Sequence, residues 1–475
     1  MRIRSFFLAS LSALALAACA AGPDYVAPSP PAPAATGPFI SADYEAVTPS
    51  PLPAEWWRLY NDPVLDGLVE DALAENTDIR QASARITRAR AALRGASADR
   101  LPQAGISASP TYGRVSEGQT ARGTDREGFA FDAGLDVSYE VDLFGRVGRG
   151  IEAARADVES AQADADAVRV MVVAETMGAY ADAASAQAQI DVARQIVQLL
   201  DDTLRLTSRR HEVGLESGLA VARIKALREQ RAAEIPTLEA QHNAALFALA
   251  TLTGRAPAEL PEVASERSVA LKITSPLPIG DGAALLARRP DIRAAERRLA
   301  ADTARIGIAT ADLYPRITLG GSAGATSTSI GDLFTGGAFR FLVGPLIDWT
   351  FPNREPVRAR IDAAEADATI ALAAFDGTVL QALQETETAL SNYAQALRRQ
   401  ESLQSATSAA ETAARITRAR LREGTANSLE VIDAERTLAE ARAVQSSQDG
   451  AVSRAQIDLF RALGGGWSNP ELASN

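Results

Sequence analysis

The sequence predicts a mainly α chain that also carries transmembrane β-strands, four per copy, built as one unit written twice. Three observations point there. Short motifs recur in the same order at a near-constant spacing. Inside each repeat the hydrophobic period changes from helical to alternating and back. Each repeat also holds a helical run far longer than a globular domain needs.

The duplication is read directly. Asn76-Thr77-Asp78-Ile79-Arg80-Gln81-Ala82 recurs as Arg289-Pro290-Asp291-Ile292-Arg293-Ala294-Ala295, an offset of 213 that also aligns Arg85 with Arg298, Asp99 with Asp312 and Pro102 with Pro315. Glu175-Thr176 then matches Glu385-Thr386, Val213-Gly214 matches Glu423-Gly424, and Thr253-Gly254 matches Leu463-Gly464, at an offset of 210. The expected organisation is a signal segment over 1–18, an N-terminal segment over 19–64, repeat one over 65–255, a linker over 256–281, repeat two over 282–465 and a tail over 466–475.

Taken in order, the chain opens with Arg2 and Arg4, a short apolar run from Phe6 to Ala18, and Leu16-Ala17-Ala18-Cys19. A run that short suits a secretory signal rather than a spanning helix, which needs about 20 residues. Cys19 is the one cysteine of the chain, so it cannot form an internal disulfide. Acylation of its sulfur is the economical use, and Ala20 after it fits an outer-membrane address. Residues 66–99 then show Leu68, Leu73, Ile79, Ile86 and Leu93 at helical spacing among Ala, Arg and Glu. That helix stops before Pro102.

Strands are expected over about 102–116 and 128–143 in repeat one and about 315–330 and 338–352 in repeat two. Odd positions from Phe129 to Leu143 are Phe129, Phe131, Ala133, Leu135, Val137, Tyr139, Val141 and Leu143, against Asp132, Asp136, Ser138, Glu140 and Asp142 between them. Repeat two alternates Phe339, Phe341, Val343, Ile347, Trp349 and Phe351 with Arg340, Gly344, Asp348 and Thr350. Period-two alternation also suits a soluble hairpin with one face on a core. Four strands cannot close a pore, since about eight are needed even for a filled barrel. A membrane reading therefore forces association, and three chains would supply about twelve strands.

A long helix follows each strand pair, Arg146 to about Glu212 and Arg354 to about Arg422, each roughly 100 Å at 1.5 Å per residue. Shorter helices over 66–99, 218–253, 282–313 and 427–463 would stack end to end in pairs to match them. Their contact positions are rich in Ala, which lets helices approach closely and curve as a wall, although a two-stranded rod uses similar patterns.

Composition excludes other classes. The formal charge is -12, and -14 once Arg2 and Arg4 leave with the signal, so the chain is a poor nucleic-acid ligand. With two histidines, His211 and His242, and one cysteine, nucleophile and metal arrangements lack parts. No catalytic residue, metal site or cofactor is called for, and three methionines are too few for soft-metal capture.

Several of these segments, in order, resemble one family. Trp56-Trp57-Arg58-Leu59-Tyr60-Asn61-Asp62-Pro63-Val64-Leu65, then Ala72-Leu73-Ala74-Glu75-Asn76-Thr77-Asp78-Ile79, resemble the opening of the TolC-like outer-membrane efflux factors, specifically the acylated NodT/OprM type. Leu16-Ala17-Ala18-Cys19 with Gly22-Pro23-Asp24-Tyr25, Tyr139-Glu140-Val141-Asp142-Leu143-Phe144-Gly145-Arg146, and Ala462-Leu463-Gly464-Gly465-Gly466-Trp467 agree with it. The resemblance implies a homotrimer with a twelve-stranded barrel in the outer membrane, continued by a long periplasmic α-helical barrel. It also implies Cys19 as the lipidated residue and, as partners, a periplasmic adaptor (membrane fusion protein) and an inner-membrane RND-type transporter.

The same resemblance assigns sites. Val213, Gly214, Leu215 and Ser217, with Gly424 and Thr425, fall at helix-to-helix turns similar to the family's adaptor-contacting tips; plain helix caps are the alternative. Glu430 and Asp433, three apart on one helix face, resemble its periplasmic gate acids. Threefold symmetry would gather six carboxylates and favour cations in the mouth. Ala426 and Ala220 stand where the family's Arg and Asp lock would be, and Arg223 or Lys225 could pair with Glu430 instead. The expected function is a passive efflux duct for drugs or other small amphiphiles. A type I protein-secretion duct, a coiled-coil tether lipoprotein and a lipid-anchored enzyme are the alternatives.

Overall fold

The computed structural model describes residues 20–42, 45–114, 116 and 126–465. The signal segment, Cys19, the tail over 466–475 with Trp467 and most of the loop after residue 116 lie outside the described residues.

Nine α-helices are described. They are α1 (Pro63–Glu75), α2 (Thr77–Ala98), α3 (Arg146–Glu212), α4 (Gly218–Ala232), α5 (Ile235–Leu252), α6 (Gly282–Arg288), α7 (Pro290–Ala311), α8 (Glu355–Arg422) and α9 (Ser428–Ala462). Strands β1 (Val47–Thr48) and β4 (Leu277–Pro278) pair in parallel; β2 (Gln103–Arg114), β3 (Glu127–Val141), β5 (Arg316–Ser327) and β6 (Phe339–Asp348) form one antiparallel sheet.

Three of the four short helices are interrupted where the sequence reading ran them through. Between α1 and α2 the backbone of Asn76 turns extended, and its Oδ1 accepts from the amides of Asp78 (2.8 Å) and Ile79 (3.3 Å), capping α2. Arg289 is extended before Pro290, as the residue preceding a proline prefers, and α7 starts on that proline. Between α4 and α5 the break at Ala233 and Glu234 precedes Pro236, whose missing N–H suits a helix start.

The chain divides into two compact units. One holds the four-stranded sheet with residues up to Ser29, Arg85–Gln162 and Ala294–Phe375. The other takes Pro30–Ala84, Ala163–Arg293 and the chain from Asp376, and it has the larger core. Trp56 is fully buried there, stacked on Phe460 with centroids 4.3 Å apart. Asp62 caps α1, accepts from Tyr180 Oη (3.1 Å) and pairs with Arg267 (2.6 Å). Buried Gln456 accepts from the Ile273 amide (3.2 Å) and donates to the Ile273 carbonyl (3.0 Å) and Tyr393 Oη (3.1 Å), which ties the linker to α8 and α9. The Trp-Trp segment is thus a core clamp.

Candidate channel wall and gate

The sheet order is β2-β3-β5-β6, every neighbour antiparallel. Register sorts its side chains cleanly. Ile106 faces Leu135, Leu135 faces Ala323 and Ala323 faces Phe341; Tyr112 faces Phe129, and Ile317 faces Ile347. One face therefore carries Ile106, Tyr112, Phe129, Phe131, Leu135, Val137, Leu319, Phe341 and Val343, and the other carries Ser107, Asp132, Asp136, Ser138, Thr318, Ser322 and Arg340. Phe341 is 72% exposed and Val343 79%, so nothing among the described residues covers the apolar face there. Among the described residues, β2 and β6 each have one edge without a strand partner. Pro110 sits in β2, an edge strand, where a missing donor is tolerated. Leu342 and Leu346 break the alternation on the polar face of β6, and nothing in the structure explains them.

A polar cluster crosses three strands on the second face. Arg340 donates to both carboxylate oxygens of Asp132 (2.9 and 2.8 Å) and to Thr326 Oγ1 (3.0 Å), and Thr326 donates to Asp132 (2.7 Å). Sequence reasoning missed this cluster, because strand register is invisible in a single sequence.

At the other end of the sheet, the Tyr139–Arg146 motif makes a corner. Glu140 receives both Nε (2.7 Å) and Nη2 (2.5 Å) of Arg146, and Asp142 caps α3 by accepting from the amides of Val147 (3.0 Å) and Gly148 (2.7 Å). Gly145 has φ +77°, and a Cβ there would meet Ala20 at 3.0 Å. Residues 20–25 dock at this corner. The Ala21 amide donates to Phe144 O (2.9 Å), Asp24 pairs with buried Arg149 (2.6 Å), and Tyr25 Oη donates to Glu296 (2.7 Å). Burial, with Glu296 beside it, pushes the Tyr25 hydroxyl well above its ordinary range.

Both helix turns named in the sequence share one construction. Gly214 has φ +75° and Gly424 +74°, the left-handed backbone expected after a helix. Leu215 N reaches Arg210 O (2.8 Å) and Thr425 N reaches Arg420 O (2.9 Å), closing the last turns of α3 and α8. Ser217 then caps α4 through the Ala220 amide (3.2 Å), and Asn427 caps α9 through the Glu430 amide (2.9 Å). Val213 is 69% and Leu215 67% exposed, so the first turn presents apolar side chains to solvent.

Glu430 and Asp433 are both exposed on the first turns of α9. Glu430 lies 3.7 Å from Arg420, across the turn, rather than against Arg223 or Lys225; the pairing expected from sequence is corrected, since Arg420 ends α8 beside the start of α9. Asp433 pairs with Arg436 (3.0 Å). The sequence also missed Glu435, 1% exposed, which holds Arg418 of α8 through both oxygens. Its signal was available: Glu435 stands four after Val431 and three before Leu438, both buried, so it occupies a core position of α9.

Comparison with known proteins decides the family. The outer membrane efflux protein profile matches residues 68–255 and 283–465. The chain belongs to the outer membrane efflux protein family. Outer membrane protein OprJ of Pseudomonas aeruginosa is 33% identical over 466 residues, covering 97% of this chain and 95% of its own. Nodulation protein T of Rhizobium leguminosarum bv. viciae is 31% identical over 482 residues, covering 99% and 96%. The solved outer-membrane channel OprN superposes with a TM-score of 0.89 at 37% identity, over 94% of this chain and all of its own. As an outer membrane efflux protein, the chain is an outer-membrane channel subunit that reaches into the periplasm, with the architecture of the TolC-like channels. No described helix is long and apolar enough to cross a membrane. The four-stranded sheet instead sorts its side chains into an apolar face and a polar face, the alternation that the strands of membrane barrels carry.

Proposed function

We propose that three copies of this chain close a twelve-stranded barrel and act together as a passive duct for drugs or other small amphiphiles. They receive cargo from a periplasmic adaptor and an inner-membrane RND-type transporter and perform no chemistry on it. The observation that carries this reading is the sheet itself: four strands with sorted faces, an uncovered apolar side and two unpaired edges. Lipid tolerates no open edge, so the strands need further copies to become a wall.

Three finer assignments go with it. Cys19 carries the lipid; the adjoining residues 20–25 are pinned at the corner where β3 leaves the sheet, which would hold an acyl chain level with the membrane surface. Val213, Gly214, Leu215 and Ser217, with Gly424 and Thr425, meet the adaptor, supported by the exposed apolar pair of the first turn. Glu430 and Asp433 line the periplasmic mouth, where grouped carboxylates attract cations.

Purified mature protein tests the reading in two steps. It should migrate on gels as an oligomer that heat converts to a monomer, and conduct ions in planar bilayers. A water-soluble monomer that inserts into no bilayer overturns it. Co-purification from membranes should bring down an adaptor and transporter, and Cys19→Ser should abolish palmitate labelling.

A further inference from the structure

Away from its helix-bearing end, the polar face of the sheet carries three charges among the described residues: Asp132 and Asp136 of β3 and Arg340 of β6. Register places Arg340 opposite Gly324 of β5, and Gly324 opposite Gly134 of β3. The two acids therefore stand two residues, about 7 Å, to either side of the row that Arg340 occupies. Spacing alone gives the arginine no preference between them. Its side chain nevertheless crosses β5 and takes Asp132, with Nη2 donating to both carboxylate oxygens (2.9 and 2.8 Å).

Thr326 decides the choice. It stands opposite Asp132 in the register, accepts from Arg340 Nε (3.0 Å) and donates to the Asp132 carboxylate (2.7 Å), so the three side chains close a ring of hydrogen bonds. Two donors of one rigid guanidinium plane are thereby fixed at once. Bare backbone lies beneath that plane. A Cβ at Gly324 would come within 2.5 Å of the Ala133 carbonyl oxygen, so that position admits no side chain, and a Cβ at Gly134 would lie 3.8 Å from Arg340 Nη2. The arginine is thus laid along the sheet rather than standing off it. Asp136 is left exposed and meets no base among the described residues.

We propose that Asp132 and Thr326 latch Arg340 flat against the wall of the duct and leave Asp136 as the charge the bore feels at this level, so that the barrel favours cations over anions. The latch rests on the duct reading above, in which the polar face of the sheet lines the bore. Twelve strands about 4.8 Å apart would enclose a bore of roughly 20 Å. Three arginines standing off its wall would narrow it and gather anions. Latched, each arginine cancels the charge of its own Asp132, and three Asp136 carboxylates remain to set the preference. Asp132 and Thr326 are positioning residues here; Asp136 is the group that meets the passing ion.

Planar-bilayer recordings of the mature protein test this, in a Glu430→Ala, Asp433→Ala background so that acids at the mouth do not mask the barrel. Asp136→Asn keeps the latch and removes the free carboxylate. Its reversal potential should show cation preference falling roughly threefold or more at about 0.01 M salt, where the Debye length of about 30 Å exceeds the bore. Tripolyphosphate should not block it. Asp132→Asn with Asp136→Asn releases the arginine, and that channel should prefer anions and be blocked by tripolyphosphate. Asp136→Asn with Arg340→Lys has the same formal charge as Asp136→Asn alone, but lysine lacks the planar fork that holds Asp132 and Thr326 together. It should gain tripolyphosphate block. Traces matching Asp136→Asn would mean that charge without geometry sets the current, and they overturn the latch; so does an unblocked Asp132→Asn, Asp136→Asn channel. Heat-modifiable migration confirms assembly, and should the variant without either acid fail to assemble, the lysine variant decides alone. In the otherwise unaltered chain, Ser107→Cys on the same face should react with a membrane-impermeant thiosulfonate and lose current. With that reaction seen, failure of the latch leaves the duct standing. An unreactive Ser107→Cys, or a wild type that conducts nothing, sinks the duct reading and the latch together.

Discussion

Val343→Arg tests the assignment of the sheet faces. Val343 lies mid-strand in β6, opposite Gly321, and is 79% exposed in the single chain, so the substitution removes almost no protein contact. Its cost is therefore that of placing a charge in lipid, about 2–4 kcal/mol at the bilayer midplane. At 1.4 kcal/mol per tenfold this is roughly a 30- to 700-fold loss in the folding equilibrium of each copy. Ser322→Arg is the control. Ser322 opposes Leu342, one step along the same ladder, but faces the polar side, where arginine would stay in water and escape the cost of entering lipid. Urea titration of folding into phospholipid vesicles, read by heat-modifiable migration, measures both. Equal damage from the two substitutions, or a silent Val343→Arg, would refute the reasoning that sorts these strands into a lipid face and a lumen face.

Other outcomes follow from the turns, the mouth and the core. Glu430→Ala with Asp433→Ala should raise single-channel conductance and weaken block by multivalent cations; unchanged traces remove these residues from the gate. Gly424→Ala should cost about 1–2 kcal/mol locally because its φ of +74° strains any side chain, with nothing within 4 Å to clash, whereas Gly377→Ala inside α8 should stabilise by about 0.5–1 kcal/mol. Hydrogen exchange across the α8–α9 turn and chemical melts separate the two, and equal signs would defeat the backbone argument. Burial holds the Asp166 carboxyl above its ordinary range despite Arg169. A raised folded pKa adds stability only below the usual carboxylate value and loses it as pH rises through the raised one. Asp166→Asn should therefore raise the melting temperature relative to wild type more at about pH 7 than at about pH 3.5; the reverse order would contradict the burial account.

Much of the architecture was legible because it is periodic. Alternation from Phe129 onward gave the apolar face of the sheet, and uninterrupted helical spacing gave α3 and α8, whose bounds need no tertiary information. Gly214 and Gly424 were readable because a left-handed residue after a helix is a local requirement. Breaks at Asn76 and Ala233 were harder, since the hydrophobic pattern continues through them and only a side-chain cap or a proline three residues on marks the stop. Partners across elements were the least legible. Arg420 for Glu430, Arg340 for Asp132 and Gln456 for Ile273 depend on which surfaces meet, and one sequence does not encode that in its spacing.

The two units differ in how far one chain completes them. In the unit with the Trp-Trp segment, large side chains such as Trp56, Tyr180, Leu249 and Phe460 are buried almost completely, and polar groups such as Gln456 and Asp62 find partners within the chain. In the sheet-bearing unit, aromatic and branched residues stay exposed along every strand, and two edges have no partner among the described residues. Apolar exposure on that scale is unstable in water, and an open edge is unstable in lipid. A single copy thus has no solvent in which the sheet is satisfied, whereas the core of its other unit closes within the chain. Membrane insertion and ring closure must then be coupled, because each supplies what the other lacks: the bilayer covers the apolar face, and neighbouring copies cover the edges.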